Sequence, residues 1–304
     1  MKNPPVTKNN RVIIKGFEDY AIETFSTVIV ALFALVCLLP FIYVFFVSFM
    51  SYDEYIAYPM RVIPRSPTIK AYQDIWGYNL IHTGYRVTLF ITIIGTILSV
   101  MLLVISAYPL SKSALKGRNF VMGMILFTMF FNGGMIPDYL LVRTLHINNT
   151  VWALILPGCI SAFYLILMKN FIQTSIPPSL EEAAKVDGAN EITILFRVIV
   201  PLLKPVIATM IIFNTVNYWN NYFSAMLYIS DRKLWPLILV LRELVVENTE
   251  VVNPVTAMMF AEQRTHPFTL RMAAIIVVIL PILFVYPFMQ RHFVKGISLG
   301  SIKE

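Results

Sequence analysis

Apolar residues run along this 304-residue chain in long blocks, not at the alternating or three-to-four spacing of a half-buried element in a soluble fold. Six blocks approach or exceed the roughly 20 residues that a helix needs to cross the hydrocarbon core. They cover approximately residues 25–50, 87–110, 120–141, 151–168, 206–222 and 272–290. The third is interrupted by Asn132-Gly133-Gly134-Met135-Ile136-Pro137. Inside a bilayer only a helix or a closed barrel pairs all its backbone groups, and blocks of this length predict helices. The expected fold class is an all-α membrane protein with six transmembrane helices.

Composition agrees with this pattern. Hydrophobic residues make up 58% of the chain and charged residues 13%, with a mean hydropathy of +0.71. An average soluble domain is about a quarter charged. The net charge of +7 would suggest a nucleic-acid surface in a soluble protein. Here the basic residues flank apolar blocks and act as topology signals, with no nucleic-acid partner expected. Lys2, Lys8, Arg11 and Lys15 precede the first block, and Lys112, Lys116 and Arg118 follow the second. Lys169, Lys185, Arg197 and Lys204 lie between the fourth and fifth, and Arg291, Lys295 and Lys303 end the chain. With these inside, both termini face the cytoplasm. The N-terminal block is too long for a signal-peptide core and reads as a retained first helix. Cys37 and Cys159 lie in separate apolar blocks and read as packing residues.

Between the fourth and fifth blocks, residues 178–200 are polar and amphipathic. Ser179 with Glu182 three positions on reads as a capping box. Residues 180–187 read as a helix of about two turns, with Glu181 and Glu182 at its positive end. Gly188 ends it, because glycine enters backbone conformations that other residues resist. A second helix is expected from Asn190, with Phe196, Val198 and Ile199 on its apolar face. Two segments outside the membrane are long, 51–86 and 223–271. Within the second, residues 234–246 read as a re-entrant or surface helix, too short between its charges to cross.

The motif Glu182-Ala183-Ala184, Asp187-Gly188-Ala189, Phe196 and Val198-Ile199-Val200-Pro201-Leu202 with Pro205 resembles the Glu-Ala-Ala loop of ATP-binding-cassette importer permeases. Its Val198 and Val200 stand where that family usually has Ile and Leu. Asn132-Gly133-Gly134-Met135-Ile136-Pro137, Trp152-Ala153-Leu154-Ile155-Leu156-Pro157, Met168-Lys169-Asn170-Phe171, Tyr218-Trp219-Asn220 and Phe293-Val294-Lys295-Gly296 are similar to the carbohydrate-type members. The chain resembles the MetI-like family, in particular the second permease of oligosaccharide and complex-polysaccharide importers. The resemblance implies a type I importer fold in the cytoplasmic membrane. It would have a cytoplasmic segment 1–24, a transmembrane domain 25–293 with a coupling loop 178–200 and an outer loop 223–271, and a tail 294–304. It implies a second, homologous permease, two ATPase subunits and an extracytoplasmic solute-binding protein as partners. It implies that ATP and Mg are bound by the ATPases, with no cofactor in this chain. Docking on the ATPase falls to Glu181, Glu182, Ala183, Ala184, Asp187, Gly188 and Ala189. The tract with Asn248, Thr249 and Glu250 is expected to touch the binding protein, or else to be a solvated cap.

Asn214, Asn217 and Asn221 repeat at i, i+3 and i+7, which places them on one helix face, with Tyr218 and Asn220 among them. Amides and aromatic faces suit sugar hydroxyls and rings, so these five residues are candidates for the carbohydrate pathway. Hydrogen bonding between helices is the competing reading. Thr88, Thr92 and Thr96 read as packing residues. No Gly-x4-Gly-Lys-Ser/Thr loop is present, so the chain is expected not to hydrolyse ATP itself. An ion-coupled sugar carrier is the alternative, but no Asp or Glu lies deep in a predicted span to serve as a relay. His82, His146, His266 and His292 are scattered, and neither a metal site nor a catalytic constellation is expected.

Overall fold

The computed structural model describes residues 7–8, 11–12, 17–246 and 268–284. Apart from a short antiparallel pairing of β1 (Thr7–Lys8) with β2 (Arg11–Val12), the described residues form helices and their connections. α1 spans Phe17–Val47 and is followed by two short helices, α2 (Tyr52–Ala57) and α3 (Lys70–Gly77). α4, Asn79–Ser111, is 33 residues long, or about 50 Å at 1.5 Å per residue. That exceeds the roughly 30 Å hydrocarbon thickness, so α4 has length to protrude or tilt.

α4 is the spine of the molecule, because its faces take part in three separate apolar clusters. Its C-terminal half, with Leu103, Val104 and Ala107, packs against α8 (Ala162–Ser175), α10 (Glu191–Leu202) and α11 (Lys204–Trp219). Ile91 meets a cluster from α6 (Met135–Thr144), α7 (Trp152–Ile155) and α12 (Phe223–Tyr228). Ile81 near its start joins α3, α13 (Leu237–Val246) and α14 (Phe268–Phe284). α5 (Arg118–Phe130) and α9 (Pro178–Val186) carry no buried residue of their own. The most apolar window of α1 is likewise fully exposed; only the chain just beyond it, at Val47, Ser48 and Met50, is buried. Such faces suit a lipid environment, where leaving Leu and Phe outside carries no penalty.

Among the described residues, α4 and the segment Tyr20–Val47 of α1 are single helices long and apolar enough to cross a membrane. The expected third, fourth and fifth spans are bent pairs. α5 and α6 meet at 117°, α7 and α8 at 50°, and α10 and α11 at 80°. The interruption at 132–134 is therefore a sharp bend, not a mild kink within one straight span. The expected sixth span corresponds to α14, of which 17 residues are described; residues 285–290 lie outside the described set. The second span starts eight residues earlier than apolarity alone predicts. The polar residues at 79–86 are interleaved with Ile81 and Gly84, which are buried. Within the expected outer loop 223–271, α12 and α13 are helices with buried faces, so this stretch is more than an irregular connection. The first N–H of α13 is met by Thr88, whose Oγ1 accepts from Leu237 N at 2.8 Å. Thr88 thus acts as a cap from another helix as well as a packing residue.

The crossing of α4 and α11 is set by one close approach. Tyr218 is 1% exposed and lies over Gly95, where an added Cβ would stand 2.7 Å from its ring. Its hydroxyl donates to the Ile155 carbonyl at 3.2 Å and shares a hydrogen bond with Ser99 Oγ at 2.9 Å. Three elements, α4, α7 and α11, thereby meet at one buried phenol. Gly95→Ala is expected to destabilise the protein by about 1–3 kcal/mol through overpacking. Gly123→Ala on α5, where nothing lies within 4 Å, is expected to be neutral or slightly stabilising. Thermal unfolding of both variants in detergent checks this; equal midpoints would contradict the notch.

Candidate functional site

The site is assembled from the segment between α8 and α11. α9 begins at Pro178, whose fixed φ suits the first helical position, with Pro177 as the N-cap residue and no side-chain cap. The expected capping box of Ser179 and Glu182 is therefore not formed, since the helix starts two residues earlier and takes Ser179 into its first turn. The C-terminus matches expectation in detail. Gly188 has φ +79°, its N–H donates to the Lys185 carbonyl at 3.0 Å, and Ala189 N–H donates to the Ala184 carbonyl at 2.9 Å. This pair of bonds is a Schellman motif. Ala184 and Ala189, the two residues it ties together, both pack on the cluster shared by α4, α8 and α10.

α10 starts at Asn190, whose Oδ1 accepts from Thr193 N at 2.8 Å. Its middle, Ile194–Ile199, is wound as a π-helix, and of the expected apolar face Val198 and Ile199 pack inward. Ile194, Leu195 and Ile199 are buried, whereas Phe196 is exposed. Phe196 lines an open apolar cleft of about 380 Å³ with Val200, Ile97, Met101, Ile105 and Ile207.

Of the residues assigned to docking, Glu181, Ala184 and Ala189 are half-buried. Glu182, Ala183, Asp187 and Gly188 are exposed. Leu180, Ala183 and Val186 follow at three-residue steps on α9, and all three face outward, Val186 at 87% exposure. A mostly polar helix that turns its small and apolar residues outward offers a surface that another protein can approach closely.

A charge cluster holds this loop against the end of α4. Lys112, the residue after α4, pairs with Glu191 on α10 and with Glu181 on α9, the latter at 3.2 Å. Glu191 also takes Lys185 at 2.9 Å and the Tyr108 hydroxyl at 3.0 Å. The Lys112 ammonium lies 4.1 Å from the centre of the Tyr108 ring. Lys112 and then Lys185 hold the Glu191 carboxyl down at about 2. Burial pulls Lys112 down, but Glu191, Tyr108 and Glu181 outweigh it and leave its ammonium above the ordinary lysine range. Sequence reasoning counted Lys112 and Lys185 only as topology charges and passed over Tyr108 and Glu191. The signal was the tyrosine and lysine bracketing the end of an apolar block, with no means of reading their partner about 80 residues on.

The amide residues differ in their surroundings, and Asn221 lies beyond the helix that carries Asn214 and Asn217. Asn214 is buried, and its Nδ2 donates to the Met210 carbonyl of its own helix at 2.8 Å. Asn217 is exposed. α11 ends at Trp219, so Asn220 and Asn221 lie beyond it. Asn220 Nδ2 donates back to the Val216 carbonyl at 3.0 Å, and Asn221 Nδ2 to the Leu154 carbonyl at 3.4 Å. Tyr218 is enclosed in the contact with Gly95. Asn248, Thr249 and Glu250 lie outside the described residues.

Residues 119–299 match the family model described as "Binding-protein-dependent transport system inner membrane component". The chain is 43% identical over 272 residues to the polygalacturonan/rhamnogalacturonan transport system permease protein YtcP of Bacillus subtilis, covering 90% of this chain and 94% of that one. It is 40% identical over 268 residues to protein LplC of the same organism, covering 88% and 90%. It is also similar to a chain in the crystal structure of a bacterial ABC transporter involved in the import of the acidic polysaccharide alginate. The TM-score there is 0.84 at 33% identity, over 92% of this chain and 99% of that chain.

The charge cluster has a defined pH dependence. A carboxyl whose folded pKa lies below its ordinary value of 4.5 contributes stability that is complete above 4.5 and is lost as pH falls through about 2. Protection of the loop amides from hydrogen exchange, corrected for intrinsic rates, is expected to be constant from about pH 8 to about pH 5 and to weaken only below that. A loss of protection centred near neutral pH would contradict the cluster.

Proposed function

The chain belongs to the family of binding-protein-dependent transport system inner membrane components, and from that premise we infer that it is a permease subunit of an ABC importer for a sugar or polysaccharide fragment. Permeases of this family are not enzymes; the free energy comes from separate ATPase subunits, which hold ATP and Mg. The family favours this reading over an ion-coupled carrier. In our reading the chain crosses the cytoplasmic membrane six times with both termini inside, and the bent pairs α5–α6, α7–α8 and α10–α11 each count as one span. It pairs with a second, homologous permease and receives its carbohydrate from an extracytoplasmic binding protein.

The observation that carries the proposal is the α9–Gly188–α10 unit. It has an outward apolar stripe at one side and the charge cluster with α4 at the other. As a coupling element it would seat Leu180, Ala183 and Val186 on an ATPase, with Glu182 and Asp187 exposed to its basic groups. Closure of the ATPases would move this unit, and the permeases would switch between inward- and outward-facing states that bind the coupling surface differently. Asn217 and Asn220 remain the exposed candidates for sugar contact, and Asn248, Thr249 and Glu250 for contact with the binding protein. The names of the relatives concern polygalacturonan, rhamnogalacturonan and alginate, which supports a polysaccharide-derived cargo.

Gly188→Val puts a β-branched residue at φ +79° and is expected to break the Schellman turn. ATPase co-purification and sugar uptake should both fall while the permease stays inserted; wild-type levels of both would refute the docking role. Orientation is tested separately by Ser113→Cys and Ser66→Cys in a background lacking Cys37 and Cys159. An impermeant thiol reagent added outside intact cells should label position 66 and spare position 113.

A further inference from the structure

A docking surface transmits motion only if something rigid links it to the helices that must move. α9 has no buried residue, and Val186, Asp187 and Gly188 at its far end are exposed. The loop meets the rest of the chain through Ala184, Ala189 and the buried side chains of α10 on one side, and through the charge cluster on the other. The apolar side is close-packed but non-directional. The charge cluster is directional, because each pair has a defined geometry.

Lys112 sits at the centre of that cluster. It is the C-cap residue of α4, with its N–H donating to the Pro109 carbonyl at 3.1 Å. A cation there is favoured by the helix dipole. The turn that carries it is pinned on both sides. Ser111 Oγ donates to the Tyr108 carbonyl at 2.6 Å, and Gln173 Nε2 of α8 donates to the Ser111 carbonyl at 2.7 Å. The Lys112 side chain is mostly covered, at 22% exposure, and joins Glu181 of α9 and Glu191 of α10 at once. The same α4 packs along α11 and along α8, so a shift of its C-terminal end reaches both.

We propose that Lys112 is the positioning residue that couples movement of the α9–α10 loop to α4, by holding Glu181 and Glu191 to the C-terminal end of the spine helix. Lys185 braces Glu191 from the loop side, and Tyr108 braces it from the α4 side. The separation of roles follows from position: the outward face of α9 docks, and the inward face transmits. Neutralising Lys112 therefore leaves the docking stripe intact and loosens its link to the transport path. This rests on the docking reading above, and the experiment separates the two.

The full complex of both permeases, the ATPases and the binding protein is reconstituted in vesicles with Lys112→Gln, Lys112→Arg or Gly188→Val. Three quantities are read: ATPase retained in the complex, ATP hydrolysed, and sugar accumulated. For Lys112→Gln the ATPase stays bound and hydrolysis persists, while sugar moved per ATP falls at least about fivefold, the lower end of typical coupling between sites. Lys112→Arg, which keeps the charge, retains most of the wild-type ratio. An unchanged ratio in Lys112→Gln overturns the proposal. Release of the ATPase by Lys112→Gln also overturns it, because Lys112 would then only support the docking surface. If Gly188→Val leaves ATPase binding intact, the docking reading itself has failed. Should Lys112→Gln not assemble, Glu191→Gln, which leaves Lys112 its Glu181 partner, takes its place. A fall in sugar moved per ATP with the ATPase retained then supports the proposal, and an unchanged ratio or a released ATPase overturns it.

Discussion

A backbone N–H or C=O freed by a broken helix must find a partner, and in a chain this apolar the partner has to come from elsewhere in the protein. The described residues contain three sharply bent helix pairs, and helix ends elsewhere in the fold carry the same demand. Thr88 on α4 caps the start of α13. Tyr218 on α11 reaches the Ile155 carbonyl at the end of α7. Asn149, itself at φ +56°, accepts from both Ser230 and Asp231 N–H groups and so closes the connection after α12 onto the one before α7. Leaving one such group buried and unpaired would cost about 1–3 kcal/mol. These few polar side chains thus satisfy backbone groups at helix ends and connections from distant parts of the chain.

The same constraint explains why α4 is the spine. It is a long unbroken helix to which the bent ones return, and it supplies Thr88 to Leu237, Gly95 and Ser99 to Tyr218, and Tyr108 to Glu191. Gly95 lets α11 come close enough for Tyr218 to reach past it, and Ser99 one turn further on shares the phenol's hydrogen bond. Small and hydroxylated residues at a helix crossing are what an apolar environment favours, since close packing and hydrogen bonds replace the hydrophobic drive available in water.

At the C-terminal end of α4 the chemistry changes from buried hydroxyls to ion pairs. Exposed ion pairs are individually worth little. Here Lys112 and Glu181 are mostly covered, and the pairs form a connected set with a tyrosine hydroxyl. Their value lies in direction more than in stability. They tie a lightly buried helix to the end of α4, while the apolar stripe on its other side stays exposed.

Features that depend on neighbours a few positions apart were legible in the chain itself. Block length called for membrane-crossing helices, Gly188 for the left-handed end of α9, a helix start near Asn190 for α10, and the Glu-Ala-Ala pattern for the family. Each rests on local dihedral preference, periodicity or motif, and each is carried by residues adjacent in the chain. Features that depend on distant partners emerged only in the fold. Tyr218 and Ser99 are 119 residues apart, Tyr108 and Glu191 are 83 apart, and Thr88 and Leu237 are 149 apart. Of the apolar face expected for α10, Val198 and Ile199 pack inward, while Phe196, within the π-helical turn Ile194–Ile199, is exposed on an apolar cleft. The end of α11 at Trp219 leaves Asn221 beyond the helix that carries Asn214 and Asn217. Periodicity shows which residues share a face, but which surface that face meets depends on the bends between helices, and these are set by packing across the whole chain.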